Sequence, residues 1–154
     1  MTNPVPRSVV DAFHKAYATR DPEKIAEFLH DDVEWTVSGP VDILAFCGTH
    51  RGKESVLDLI RRLVPQVMRV FSFVADSILV DGDQVAMLNR QSARRADDGR
   101  VISFRVANFI RFRDGKVIEN LSLIDSFDVV EQVLGHPLSL DARPPAAQGD
   151  MIAV

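Results

Sequence analysis

From Arg7 to Arg20 the apolar residues Val9, Val10, Phe13, Ala16 and Tyr17 recur at steps of three and four, which places them on one face of a helix. His14 follows Phe13 but turns ~100° from it, toward the surface or the rim of that face. The stretch RDPEKIAEFLHDD offers Asp21 as an N-cap and Pro22 at the first helical position, with Ile25, Phe28 and Leu29 inward, and predicts a short second helix ending near His30. VEWTV then alternates Val33, Trp35 and Val37 with Glu34 and Thr36, the period of a half-buried strand, and Gly39-Pro40 stops it. A loop through Phe46, Cys47 and Gly48 leads to GKESVLDLIRRLV. There Val56, Leu57, Ile60, Leu63 and Val64 form a third helical stripe, with Pro65 at or just beyond its end.

After Arg69 the period changes to two. Strands are predicted near 70–80, 84–95, 101–112 and 116–125, separated by the turn sequences DGD, ADDG and RDG. DSFDVVEQVLG reads as a last short helix with Ser126 as N-cap and Gly135 past its end. Residues 1–136 therefore read as one domain and 137–154 as an irregular tail. Helices followed by a meander of long strands make an α+β arrangement, in which a strongly bent sheet closes a cone around the helices and leaves a pocket.

The length, 154 residues, suits one core, and 26% charged with 46% hydrophobic residues excludes disordered and fibrous classes. A net charge of -4 argues against nucleic acid, whose binding must neutralise phosphates. Arg90, Arg94, Arg95 and Arg100 cluster, but Asp97 and Asp98 lie among them, as in a solvated hairpin tip. No apolar run approaches the ~18 residues of a membrane helix, and the N-terminus lacks the apolar core of a secretion signal, so no membrane role and a cytoplasmic location are expected. Cys47 is the single cysteine and reads as an inert small hydrophobe. The four histidines lack metal-ligand spacing, so no metal is expected.

Two amides interrupt the strand core. Alternation puts Phe104, Val106, Asn108, Ile110 and Phe112 on one face of the strand 101–112, and this more apolar face should line the cone. Asn108 buried there needs a partner, because an unpaired amide costs ~1 to 3 kcal/mol. A two-residue Asp114-Gly115 loop pairs Arg113 with Lys116 and sets Asn108 opposite Leu121. A three-residue loop pairs Phe112 with Lys116, sets Asn108 opposite Asn120, and leaves Glu119 near Arg111 on the outer face.

RDPEKIAEFLHDDVEWTVSGP, GTHRGKESVLDLI and FIRFRDGKVIENLSLID resemble the three blocks of the NTF2-like superfamily, nearest to its SnoaL-like polyketide cyclases and ketosteroid-isomerase-like proteins, over roughly residues 7–135. The resemblance implies an NTF2-like cone, a curved antiparallel sheet around three helices from the N-terminal half, with a pocket. It favours the three-residue loop, since related proteins place pocket residues on that parity. Matched block by block, the catalytic aspartate, tyrosine and sheet aspartic acid of ketosteroid isomerases fall at Val37, Phe13 and Asn108. None is retained, so ketosteroid isomerisation is not expected. The acidic residue that SnoaL-like cyclases share at the Asn108 position is absent, and the Arg-with-two-Asp set of limonene-epoxide hydrolases is not recognisable. An amide at 108 can still donate to a developing oxyanion.

The expected function is that of a small-molecule enzyme performing proton transfer without a cofactor, of isomerase, cyclase or dehydratase type, on a hydrophobic molecule bearing a carbonyl or hydroxyl. Asn108 with Asn120 would polarise the oxygen, and Tyr17 or His50 would move the proton. Trp35, Phe13, Val37, Met87, Asn89, Val106, Asn120 and Ser122 are the candidate ligand-binding residues, with Gln91 joining the polar wall. Asp125 reads as capping chemistry before catalysis. The alternative is a non-catalytic module that binds a small ligand or serves dimerisation. The outer sheet face, with Ala107, Phe109, Leu121 and Leu123, has no helix left to cover it, and a homodimer through that face is expected.

Overall fold

The apolar stripe of the first helix forms α1 (Arg7–Ala18), which buries Val10, Phe13 and Ala16. In this computed structural model, residues 3–139 are described. Asp21 caps α2 (Pro22–Ala26), its carboxylate accepting from the Glu23 N–H at 3.0 Å. The helix ends at Ala26, earlier than the predicted His30. The backbone from Phe28 onward is committed to the sheet instead: Phe28 O accepts from Val117 N at 2.7 Å, and β1 (Leu29–Ser38) has begun.

The segment expected as loop before the third helix contains β2 (Gly48–Arg51), antiparallel to β1, with Trp35 paired to His50. Four residues are too few for alternation to declare them. The third helix is built in three pieces, α3 (Lys53–Asp58), a π-helical turn (Leu59–Leu63) and α4 (Val64–Val67). Pro65 lies inside the last piece, not at the end of the helix. Proline crowds the carbonyl four residues back and cannot donate to it. The turn just before is widened, with Val64 N donating to Leu59 O, five residues back.

The long strands are β3 (Met68–Asp81), β4 (Gln84–Arg95), β5 (Val101–Arg113) and β6 (Lys116–Ile124), in the sheet order β2-β1-β6-β5-β4-β3. All neighbours are antiparallel except β1 and β6, which run parallel. Irregularities in β3 at Val70/Ser72 and Ala75/Ser77 and between β5 and β6 at Arg111/Phe112 add local twist, which curves the sheet around the helices. The core between them includes Val10, Ile25, Leu29, Val33, Leu44 and Met68, each at 0% exposure.

The turn at 113–115 differs from the favoured three-residue loop. Arg113 pairs with Lys116, and Asp114 and Gly115 both take positive φ, 52° and 74°, as a two-residue type I′ turn requires. The expected parity is nevertheless reached, because Ile118 is an extra residue on β6: Phe112 pairs with Val117 while Arg111 pairs with Glu119. Beyond the bulge Asn120 and Ser122 face the cone, Asn108 is opposite Ser122, and Arg111 forms the outer-face ion pair with Glu119.

Ser126 is the first residue of α5 (Ser126–Leu134), and Asp125 holds the cap position without a side-chain cap bond. Gly135 ends the helix in the left-handed region, φ 79°. Gln132 completes the free edge of β5: its Oε1 accepts from Ser103 N and its Nε2 donates to Ser103 O, both at 2.9 Å. The hairpin tip is solvated as expected, with residues 96–100 exposed, and only Arg95 is drawn in. The Arg95 side chain is 9% exposed and held by Asp97 and Asp98 at 2.6 and 3.3 Å. The tail expected over 137–154 lies outside the described residues from 140 onward. No described helix is long and apolar enough to cross a membrane.

Candidate functional site

The inner faces of β4, β5 and β6 carry four polar residues in one connected chain. Asn89 Nδ2 donates to Asn108 Oδ1 at 2.9 Å; Asn108 Nδ2 donates to Ser122 Oγ at 2.7 Å and Asn120 Oδ1 at 3.2 Å; Asn120 Nδ2 donates to Ser122 Oγ at 2.9 Å. All four are buried, with Asn89 at 0% and Asn120 at 1% exposure. The cross-strand register creates these contacts: Asn108 has Met87 opposite on β4 and Ser122 opposite on β6. Asn108 thus uses both amide hydrogens and its oxygen within the protein.

His14 joins this chain from α1. Its Nε2 lies 3.0 Å from Asn89 Oδ1, and its ring lies 5.3 Å from that of Phe73. His14 is half-buried, consistent with the rim position expected for it, but it also reaches the sheet. The sheet curls far enough toward α1 that a side chain turned away from Phe13 still meets β4. With Asn89 Nδ2 donating to Asn108, the Asn89 oxygen accepts, and His14 Nε2 carries the proton. Donation then runs in one direction, from His14 through Asn89 and Asn108 to Ser122.

Inside the cone the main cavity is narrow, about 40 Å³, and its wall includes Tyr17, Arg20, Trp35, Gln91 and Ser122 among apolar residues that include Val37 and Val106. A smaller void of about 10 Å³ adjoins Phe13, His14, Tyr17, Trp35, Met87 and Asn108. Tyr17 stacks on Trp35 at 5.5 Å and meets Phe73 edge-on at 5.1 Å. A larger hollow, about 580 Å³, lies on the outer sheet face between Leu79, Phe109 and Leu121. The inner cavity is the better candidate despite its size, because polar groups converge there on an apolar wall, whereas the outer hollow is a shallow open groove.

Of the sequence candidates, the structure brings Tyr17, Trp35, Val37, Val106 and Ser122 to the main cavity, and Phe13, Met87 and Asn108 to the small one. Asn89 and Asn120 hold the polar chain together but are not among the residues bounding either cavity. His50 is not brought to this wall. Its Nε2 contacts Phe46 O at 3.1 Å, which ties the ring to the 39–52 loop. Arg20, Phe73 and Leu59 escaped the sequence reading as site residues, and Phe104 lies on the predicted cone-lining face without being singled out. Arg20 carried one signal, its position three residues after Tyr17 at the end of the stretch read as the first helix. Ile60 belongs to the predicted helical stripe, whereas Leu59, off that stripe, reaches the cavity from the π-helical turn, which no periodicity reveals.

Cys47 is buried, and burial pushes its thiol up to about 11, in keeping with an inert side chain. Among the described residues no group of three His, Cys, Asp or Glu is placed to hold a metal ion.

Residues 10–120 match the SnoaL-like domain family. A Rhodopseudomonas palustris protein provisionally named an isomerase is 32% identical, covers 82% of this chain and 93% of its own, and superposes with a TM-score of 0.71. An NTF2-like protein of unknown function from Burkholderia pseudomallei gives 0.74 at 20% identity, covering 82% and 95%. A Catenulispora acidiphila protein of ketosteroid-isomerase-like fold, solved with trimethylamine, gives 0.68 at 16% identity, covering 86% and 95%. A comparison with curated proteins finds no match.

Proposed function

The chain belongs to the SnoaL-like family of NTF2-like proteins, and on that premise we propose that it is a cofactor-free enzyme of isomerase type acting on a small, mostly apolar molecule held in the cone. The observation that carries this reading is the one-way chain of hydrogen bonds ending at Ser122. Ser122 Oγ accepts twice, from Asn108 and Asn120, so its single proton remains available to a ligand oxygen at the main cavity. A donor held in place by two buried amides is suited to stabilise an oxygen that gains charge during enolisation.

His14 and Tyr17 are the groups through which a proton would move. His14 borders the small void with Asn108, and Tyr17 borders both cavities. The provisional isomerase name of the Rhodopseudomonas palustris relative supports the same reaction class. Asn108, satisfied on both sides, acts by orienting Ser122 rather than by touching the substrate. A cytoplasmic homodimer through the outer sheet face completes this reading. Phe109, Leu121 and Leu123 there are 51%, 38% and 42% exposed, and Phe109 and Leu121 line the outer groove.

A second reading, a non-catalytic binding module, draws on the self-satisfied amides and on a main-cavity wall without a carboxylate or histidine. Deuterium exchange at the α-carbon of cyclic ketones in heavy water, followed by mass spectrometry, separates the two. The enzyme should accelerate exchange, and His14→Gln or Ser122→Ala should slow it by about tenfold or more. Saturable binding of the same ketones without exchange would establish the binding module instead.

A further inference from the structure

Arg20 follows the first helix and faces the cone, and three of its features bear on what the cone would hold. Its backbone is left-handed, φ 58°, a conformation that disfavours any side chain and suits glycine. Its guanidinium is stacked 4.3 Å from the centroid of Tyr17 and 5.1 Å from that of Phe73. Unlike Arg7, Arg51, Arg62, Arg90, Arg95, Arg100 and Arg111, it has no carboxylate within ion-pair distance among the described residues.

What holds the cation is neutral. Nη2 donates to Gln91 Oε1 at 2.7 Å, and Nε is buried without an acceptor. Trp35 Nε1, on a side chain 1% exposed that bounds the same cavity, is likewise buried without an acceptor. Ser122 adds an uncommitted hydroxyl proton. The polar part of the wall is thus rich in donors, carries one positive charge, and includes no carboxylate. Such a wall complements an acceptor with negative charge and repels a cation.

We propose that the ligand of the cone is an anion, an apolar or aromatic body carrying a carboxylate or comparable oxyanion that pairs with Arg20. This inference rests on the cone being a ligand site and adds the charge of what occupies it. Stacking on two aromatic rings leaves the edge of the guanidinium free for in-plane hydrogen bonds, the geometry a carboxylate takes. The cavity is too small for such a body as it stands. The wall residues Leu59 and Ile60 lie on the π-helical turn, the piece of the third helix with irregular geometry, and displacement there would open the space.

The test uses the full chain and matched probes, benzoate, cinnamate and 2-naphthoate, each beside its neutral primary amide, with affinities measured by calorimetric titration. Carboxylates should bind about tenfold or more tighter than their amides, as one charge-assisted contact implies, and raising sodium chloride should narrow the gap. Arg20→Gly suits the left-handed backbone and should remain folded while bringing the ratio close to one. Arg20→Lys, which keeps the charge, should retain part of the preference. Equal affinity for acids and amides in the wild type would overturn the anion assignment and leave the cone as a ligand site. An unchanged ratio in Arg20→Gly would remove Arg20 from that role. Failure of every probe, neutral and charged, would overturn this inference together with the ligand site it rests on.

Discussion

Asn108 donates to Ser122 at 2.7 Å across β5 and β6, and the contact exists only because Ile118 is an extra residue in β6. Without that bulge the two-residue turn would set Asn108 opposite Leu121. Replacing Asn108 by leucine should orphan the buried Asn89 amide hydrogens and the Asn120 oxygen. A loss of at least about 2 kcal/mol is expected in urea unfolding, since each unsatisfied buried group costs ~1 to 3 kcal/mol. Unchanged stability would show that these amides find water instead.

Gly135 and Gly82 offer a matched pair. Both have positive φ, 79° and 60°, but a Cβ at Gly135 would lie 2.5 Å from Arg95 Nη1, whereas one at Gly82 meets nothing within 4 Å. Arg95 is free to yield only by loosening its contacts with Asp97 and Asp98. Gly135→Ala should therefore destabilise by about 1 kcal/mol more than Gly82→Ala, read as the difference in their chemical unfolding curves.

Cys47 gives the protein an alkaline sensitivity. Burial raises its thiol from 9.0 to about 11, so between these values the folded chain keeps a proton that the unfolded chain releases. The contribution of this group is intact below pH 9 and declines as pH rises toward about 11. Cys47→Ala should lack that component of the decline, seen by comparing unfolding free energies at pH 8 and 10.5. Alkylation of the native thiol at pH 8 should be slow, and urea should accelerate it.

The outer sheet face bears on assembly. Phe109→Asp places a charge at the centre of the exposed apolar strip and should shift sedimentation from twice the chain mass to the mass of one chain. A wild-type chain sedimenting as a monomer at tens of micromolar would remove the dimer from the proposal.

The hydrophobic periods of the sequence, together with its turn residues, determined the helices, the four long strands and the choice of Asn108 as a buried amide, because burial on one face imposes periods of 3.6 and two directly on the chain. They could not determine the bulge at Ile118, since a bulge is a disagreement between two strands and becomes visible only when both are paired. The strand β2, the widened turn before Pro65 and the meeting of His14 with Asn89 were decided in the same way, by neighbours distant in sequence. Arg20 is the clearest case. As a sequence symbol it is a surface charge before a helix cap, and only the closing of α1 against β3 and β4 brings Phe73 and Gln91 to it and leaves its charge without an acid.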